Sequence, residues 1–211
     1  MSVLRRSPRP AEGFDAGALS LRQRLSLMIG TGLAAETLVK MDDADIHHDF
    51  LLRNGVRAPL LKAGKVSVAQ LQARGVASTE HLRALEYNTL DLLDGAFCAE
   101  CVAAFGANEV LKTFFTTSGD AVALAGSPAV EQLGLDVGVL LGMCCGAPEA
   151  ARAVLAQSTP RGAALTGVAP ETLLDSGLRS ATLRELGYDA AAVRAQTRAS
   201  PREIETLGFV S

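Results

Sequence analysis

The stretch VAPETLLDSG-LRSATLRELG-YDAAAVRAQT, residues 168–197, decides the fold, because it consists of three ten-residue units that share one pattern. After one inserted residue, Arg198, a fourth unit ASPREIETLG follows at 199–208, and Phe209 opens a further unit. The first position of a unit is mostly apolar, the sixth is always apolar, and the tenth is usually glycine. Self-similarity at a fixed period is the sequence signature of a repeat architecture.

The same frame returns in the first half of the chain. Its first positions are apolar or aromatic residues at spacings of 10, 10, 11 and 10: Val56, Val66, Val76, Tyr87 and Phe97. The corresponding sixth positions are also apolar: Leu61, Leu71, Leu82, Leu92 and Val102. Further units begin at Ala125 and Leu135. Two stretches break the frame, a longer step at 33–46 and residues 148–157, which predict an ordinary helix with Pro148 at its first position.

Each unit has the features of a short helix. Serine, threonine, aspartate or proline near positions 2 to 4, as at Ser180, Asp189 and Ser200-Pro201, is typical of a helix start. Glycine at position 10 is typical of the left-handed residue that ends a helix. The six or seven residues between them make about two turns, roughly 10 Å, which is too short to be stable alone in water. Such helices must bury their apolar faces on neighbouring units, as in a solenoid.

We therefore expect an all-α fold, an α-solenoid-like array of two-turn helices joined by glycine turns over residues 21–211. Residues 1–20, with two Ser-Pro or Arg-Pro steps and several arginines, predict a flexible basic arm before it. Apolar residues are 48% of the 211-residue chain and aromatic residues only 4%. This composition excludes a disordered or collagen-like chain and disfavours a β-sandwich, which needs β-branched and aromatic residues.

The chain is expected to be soluble and intracellular. The N-terminus lacks the apolar core of a secretory signal, and a transit peptide remains an alternative that Glu12 and Asp15 disfavour. Four cysteines are too few for a disulfide framework. The most apolar window, 137–147, is far shorter than the ~20 residues of a membrane span. The formal charge of −3 gives no overall attraction to nucleic acid or anionic lipid.

Units such as LRSATLRELG followed by Tyr188, and VAPETLLDSG followed by Leu178, resemble the short Gly-aromatic-Ser-x-x-Glu-Leu helical repeats of large proteins from algae, oomycetes and giant DNA viruses. The resemblance covers more than half of the chain and brings no catalytic residue with it. It implies a scaffold or interaction role, with a virion component as one form of it.

The pair Cys98 and Cys101 has the CxxC spacing of a redox pair or of half a zinc site. The other two cysteines, Cys144 and Cys145, are adjacent and cannot easily direct both thiolates at one ion. In the repeat frame, Cys98 and Cys101 are small residues at positions 2 and 5. Free cysteine is among the most buried residue types, so we expect buried small side chains here, with a redox or metal role as the alternative.

The densest polar cluster is DDADIHHD, residues 42–49. On a helix, Asp45 and Asp49 are four residues apart with His48 on the side of Asp45, an arrangement that can bind a divalent metal. A solvated face with aspartates at a helix N-terminus is the simpler interpretation, and we expect that one. This acidic helix would also cap the N-terminal end of the array.

Two further patterns involve glycine. GTGLAA, residues 30–35, matches a loose dinucleotide fingerprint, but the preceding residues read as helix and no βαβ unit follows. Gly134, Gly138, Gly142 and Gly146 recur every fourth residue in a stretch of low charge. That stretch predicts either the deepest core or an interface, and the sequence leaves the two open.

The function expected from these patterns is a non-catalytic structural or protein–protein interaction module in a larger assembly, with no cofactor and with other protein subunits, or a second copy, as partners. One alternative is a nucleic-acid-binding repeat whose phosphate contacts would be arginines near the N-terminus: Arg5, Arg6, Arg9, Arg22 and Arg24. The other is a thiol-redox or metal-dependent enzyme that uses Cys98 and Cys101.

The candidate interaction residues lie at the C-terminal end. Because the unit opened by Phe209 is incomplete in the sequence, Ile204, Leu207 and Phe209 are expected to form an apolar edge. This edge would dock on a neighbouring subunit or back onto the body of the chain.

Overall fold

The computed structural model describes residues 47–53, 55–158 and 164–209, and within these ranges the chain forms fifteen α-helices and no strand. In chain order the helices are α1 (His48–Arg53), α2 (Ala58–Ala63), α3 (Val68–Ala73), α4 (Thr79–Ala84), α5 (Thr89–Leu92), α6 (Gly95–Phe105), α7 (Ala107–Phe114), α8 (Ser118–Ala125), α9 (Ala129–Gln132), α10 (Val137–Gly142), α11 (Pro148–Ser158), α12 (Pro170–Asp175), α13 (Ser180–Glu185), α14 (Ala190–Thr197) and α15 (Pro201–Thr206). The predicted all-helical class is confirmed for this part of the chain.

Eight of the described helices begin where a polar side chain accepts a hydrogen bond from the first turn. Asp189 and Ser200 cap α14 and α15, as the sequence predicts. Ser200 also forms a capping box, in which its own main-chain N–H donates to Glu203. Ser180 also lies at a helix start, as the first residue of α13, whereas the cap position is Arg179, whose side chain makes no capping bond.

The helices end as the glycine positions predict. At eight described junctions the main-chain N–H of a unit's first residue donates to the carbonyl five residues earlier. This carbonyl belongs to the sixth residue of the preceding unit. One example is the bond from Tyr188 to Leu183, at 2.8 Å. The residue before the donor has a positive φ in each case, and six of these eight residues are glycine. The exceptions are Lys65 (φ 52°) and Glu86 (φ 68°). This is the Schellman arrangement, which satisfies carbonyls at the helix end.

Side-chain burial follows the same frame. The sixth-position residues are fully buried in most units: Leu61, Leu71, Leu82, Leu92, Leu173, Leu183 and Val193. Together with the first-position residues they form one hydrophobic core through the described part of the chain. Each short helix therefore contributes one apolar face to a core that it shares with its neighbours.

Helices are joined across the chain by hydrogen bonds between residues about 25 to 30 positions apart. The N–H of Ala58, which begins α2, donates to the carbonyl of Leu85 at the end of α4 at 2.7 Å. The N–H of Ser180 in α13 likewise donates to Leu207 after α15 at 2.8 Å. In both cases the first residue of one helix contacts the end of the helix two places later.

The unit expected to open at Phe97 does not exist. Asp94 caps a helix that starts at Gly95 and continues through Phe97 to Phe105, so Phe97 lies within α6 instead of in a turn. Residues 96–105 contain no glycine or proline that would interrupt the helix, which explains why the ten-residue frame is lost here. By contrast, the ordinary helix expected at 148–157 is confirmed as α11, with Pro148 as its first residue.

Candidate functional site

The C-terminal helices α14 and α15 form a partly apolar groove on the surface of the described chain. The groove has a volume of about 600 Å³ and lies between α14 and α15. Its walls include Ala191 and Ala195 from α14, Ile204 from α15, and Phe209 beyond it. Two opposite charges, Arg194 and Glu205, also line it.

Local contacts hold the outer wall of this groove in place. The N–H of Phe209 donates to the carbonyl of Ile204 at 3.1 Å, and the Ser180 hydroxyl donates to the carbonyl of Gly208 at 2.7 Å. The guanidinium of Arg184 lies 5.3 Å from the centroid of the Phe209 ring, within cation–π range. Residues 208–209 are therefore fixed against α13 on one side.

The structure distinguishes among the three residues of the expected apolar edge. Leu207 is fully buried and Phe209 is 2% exposed, so both pack on the body of this chain. Ile204 is 8% exposed, more than most other sixth-position residues. Only Ile204 and Phe209 reach the groove wall. Contact of these residues with a partner remains a prediction.

The thiols of Cys98 and Cys101 lie inside α6 and are fully buried. Burial raises the pKa of Cys98 to about 11 and, with the nearby Cys98 and Glu100 as lesser causes, the pKa of Cys101 to about 12. Reactive cysteines have depressed pKa values and access to solvent, whereas buried thiols with raised pKa values are inert. The expectation of buried small side chains agrees with this placement.

His48 is buried, so the expectation of a solvated face was wrong for this residue. Its ring stacks on that of His81 with centroids 4.1 Å apart, and its Nε2 lies 3.3 Å from the His81 carbonyl oxygen. Asp49 remains exposed, with its carboxylate 3.6 Å from Nδ1 of His48. The stacking partner is 33 residues away, which the local sequence pattern around His48 does not reveal.

No group of three or more potential metal ligands comes together among the described residues. Asp45, the dinucleotide-like stretch at 30–35, the basic arm at 1–20 and the five N-terminal arginines lie outside the described residues.

The four regularly spaced glycines have different positions. Gly134 and Gly146 have positive φ values of 64° and 70°, which favour glycine. Gly138 lies inside α10, and Gly142 is the last residue of that helix. Val139 between them is 42% exposed, whereas Leu140 and Leu141 are buried. One side of α10 therefore lies in the core and the other faces outward.

Sequence reasoning missed a role for arginine at the second position of a unit. Nη1 of Arg57 donates to the carbonyls of Leu52 and Val56 at 3.0 and 3.1 Å. Nη1 of Arg179 makes the equivalent bonds to the carbonyls of Leu174 and Leu178 at 3.1 and 2.9 Å. Each arginine thus binds one carbonyl in the last turn of the preceding helix and one in the turn that follows it. The shared position in the repeat was the available signal.

No helix in the described ranges has the length and apolar character that a membrane crossing requires. No protein-family model matches the chain, and no curated protein or solved structure matches it either.

Proposed function

We propose that the chain is a non-catalytic protein–protein interaction module, built as an α-solenoid-like array of short helical repeats and working as a component of a larger assembly. The observation that carries the proposal is the recurring bond between the first residue of one helix and the end of the helix two places later, as between Ala58 and Leu85. It joins helices two places apart by the same geometry, in α2 and again in α13. Solenoids built in this way present extended surfaces for other proteins.

The burial pattern supports the same proposal. A two-turn helix is unstable alone, and here the fully buried sixth-position residues place its apolar face against neighbouring units. The polar side chains of the outer positions are then available to a partner. The groove between α14 and α15 is the described surface best suited to contact another protein, because its walls combine apolar side chains with one charge of each sign.

The test is purification of the affinity-tagged full chain from its native source, with and without nuclease treatment. We expect stoichiometric co-purification of one or more protein subunits that survives both nuclease and high salt. Each subunit is then produced separately and mixed with the purified chain, and complex formation is measured by sedimentation velocity. Loss of the associated proteins on nuclease treatment would support the nucleic-acid alternative, and a chain that purifies alone as a monomer would contradict the proposal.

A further inference from the structure

We infer that the described array winds into a superhelix with three ten-residue units in each turn. The inference goes beyond the proposed function, because it concerns how the array is built and which side chains share one side of it. The proposed function stands whether or not the superhelix is correct. The observations that carry the inference are the sequence separations between residues that contact each other.

The described long-range hydrogen bonds and ion pairs share a narrow range of sequence separations. The separation runs from 25 residues, for Thr89 and Phe114, to 34 residues, for Thr79 and Thr113. Examples from both halves of the chain, with their separation in residues, are Lys62 with Asp91 (29), Val68 with Glu100 (32), Arg83 with Thr113 (30) and Leu165 with Gln196 (31). Because a unit has ten residues, each of these contacts spans about three units.

The ten-residue frame is lost in the middle of the chain, but the same separation continues there. A Cβ atom at Gly95, the first residue of α6, would lie 3.0 Å from the Cβ of Pro128, which precedes α9. A Cβ at Gly177 would lie 3.1 Å from that of Pro148, the first residue of α11. A larger residue at either glycine would displace the proline. Both pairs fall within the same range of separations, so the period persists where the units themselves are irregular.

Packing between helices follows the same rule. The pairs in contact that are three places apart in the chain include α3 with α6, α4 with α7, α6 with α9 and α8 with α11. A chain that turns by about a third of a circle at each unit returns after three units and lies on its previous turn. Helices two places apart, such as α8 and α10, also contact each other, because the three helices of one turn adjoin one another. A solenoid built of helix pairs would instead bring together residues about 20 positions apart.

The superhelix determines which side chains share one side of the molecule. Helices α3, α6 and α9 form one row along the superhelix axis, and packed helices have axes about 8–10 Å apart. One turn therefore lengthens the array by about 8–10 Å. Outer side chains three units apart lie on the same side, whereas those of successive units face different sides.

The experiment inserts additional units into the full chain. A one-unit variant repeats residues 66–75 after Gly75, and a three-unit variant repeats residues 56–86 after Glu86. Both insertions consist of the protein's own units and end at unit boundaries, so the two variants are matched in local sequence. The one-unit insertion places a copy of α3 where α4 lies in the unchanged chain. The three-unit insertion adds one complete turn.

The contact between the rings of His48 and His81, which are 33 residues apart, is the first measurement. Nuclear Overhauser contacts between the two rings should be present in the unchanged chain and in the three-unit variant. They should be lost in the one-unit variant, because the extra unit moves His81 to a different side. The Ser180 amide, bonded to Leu207 far from both insertions, should keep its hydrogen-exchange rate and shows whether the rest of the array stays folded.

The length of the particle from small-angle X-ray scattering is the second measurement. The three-unit variant should be longer than the unchanged chain by about 8–10 Å, one layer of packed helices. Three units that ran on without returning would add about 30 Å, because each would form its own layer.

Four results would overturn the inference. These are absence of the ring contact in the unchanged chain, its loss in the three-unit variant, its persistence in the one-unit variant, and lengthening by about 30 Å. Persistence in the one-unit variant would mean that the extra unit loops out and that α4 packs on α1 regardless of the units between them. If the one-unit variant does not fold, the ring contact and the length of the three-unit variant decide the question.

Discussion

The rings of Tyr87 and Phe97 stack with centroids 5.0 Å apart and an interplanar angle of 16°. The stacking holds Tyr87 in the core with 3% exposure, and its buried hydroxyl has no hydrogen-bond partner among the described residues. Burial, with Asp91 as a lesser cause, strongly raises the pKa of this phenol. A buried polar atom without a partner costs about 1–3 kcal/mol.

Tyr87→Phe should therefore stabilise the protein, by about 1 kcal/mol, since it removes the unpartnered hydroxyl and keeps the ring. The free energy of unfolding from urea titration is the measurement. Tyr188→Phe, at the same position of its unit, is the control, because the Tyr188 hydroxyl is not among the buried unpartnered atoms described. A loss of stability in Tyr87→Phe would show that the hydroxyl is bonded in solution.

Replacement of sixth-position leucines should be costly. Leu183→Ala and Leu92→Ala should each lower the free energy of unfolding by about 2–5 kcal/mol, because both side chains are fully buried. Arg184 is a poor exposed control, since its guanidinium lies over Phe209 and contributes about 0.5–1 kcal/mol. Glu205→Ala, at an exposed seventh position, should change the value by less than ~0.5 kcal/mol. Equal losses at both kinds of position would contradict the repeat frame.

Lys65→Gly should stabilise the protein by about 0.5–1 kcal/mol. Lys65 has a φ of 52°, a left-handed conformation that costs a side-chain-bearing residue about 1–2 kcal/mol and glycine very little. Gly187→Ala is the reverse experiment. Its φ is +87° and a Cβ would meet no atom within 4 Å, so backbone strain alone should lower stability by about 1–2 kcal/mol. Calorimetric melting of the two variants gives opposite shifts if the turn geometry is as described.

The thiols should react in two classes. Cys145 is exposed and should react with a thiol reagent in the native protein at neutral pH, whereas Cys98, Cys101 and Cys144 are buried and should react only on unfolding. Mass spectrometry of the labelled peptides identifies which cysteines have reacted. Rapid reaction of Cys98 or Cys101 in the native protein would contradict this prediction and favour the thiol-redox alternative.

Stability should also fall at alkaline pH. A thiol in the unfolded chain ionises near pH 8.5, whereas Cys101 in the folded protein keeps its proton up to a pKa of about 12. Above about pH 8.5 the unfolded state binds fewer protons, so the stability present at lower pH is lost progressively toward pH 12. Urea midpoints measured across this range, with Cys101→Ala as comparison, should show a shallower decline in the variant.

The sequence predicted the parts of the fold that local chemistry determines. Glycine at the tenth position and the apolar sixth position are visible in one unit, and the turn after Leu183 forms as expected. The ten-residue spacing of Phe97 predicts a turn there, but the uninterrupted helix-forming residues around it continue α6 through that position. Leu207 and Phe209 were expected to dock on a neighbouring subunit or back onto the body of the chain, and both are buried on the body. The sequence does not show that α13, more than 20 residues away, supplies the contact.

The stacking of His48 on His81 depends on the same long-range geometry. The ten-residue pattern predicts which face of each helix is apolar. It does not show which helices, two or three places apart in the chain, contact each other in the structure. Those contacts depend on the angles between successive helices, whose effects add up over several units. The candidate groove therefore depends on the three-dimensional arrangement of α13, α14 and α15, which the ten-residue pattern does not predict.

The bonds between a helix start and the end of the helix two places later use main-chain atoms at both ends, as between Ala58 and Leu85. Such a hydrogen bond does not depend on the side chains of its two residues, provided that the donor residue is not proline. Mutations can therefore accumulate at most positions of a unit without altering how it attaches to its neighbours.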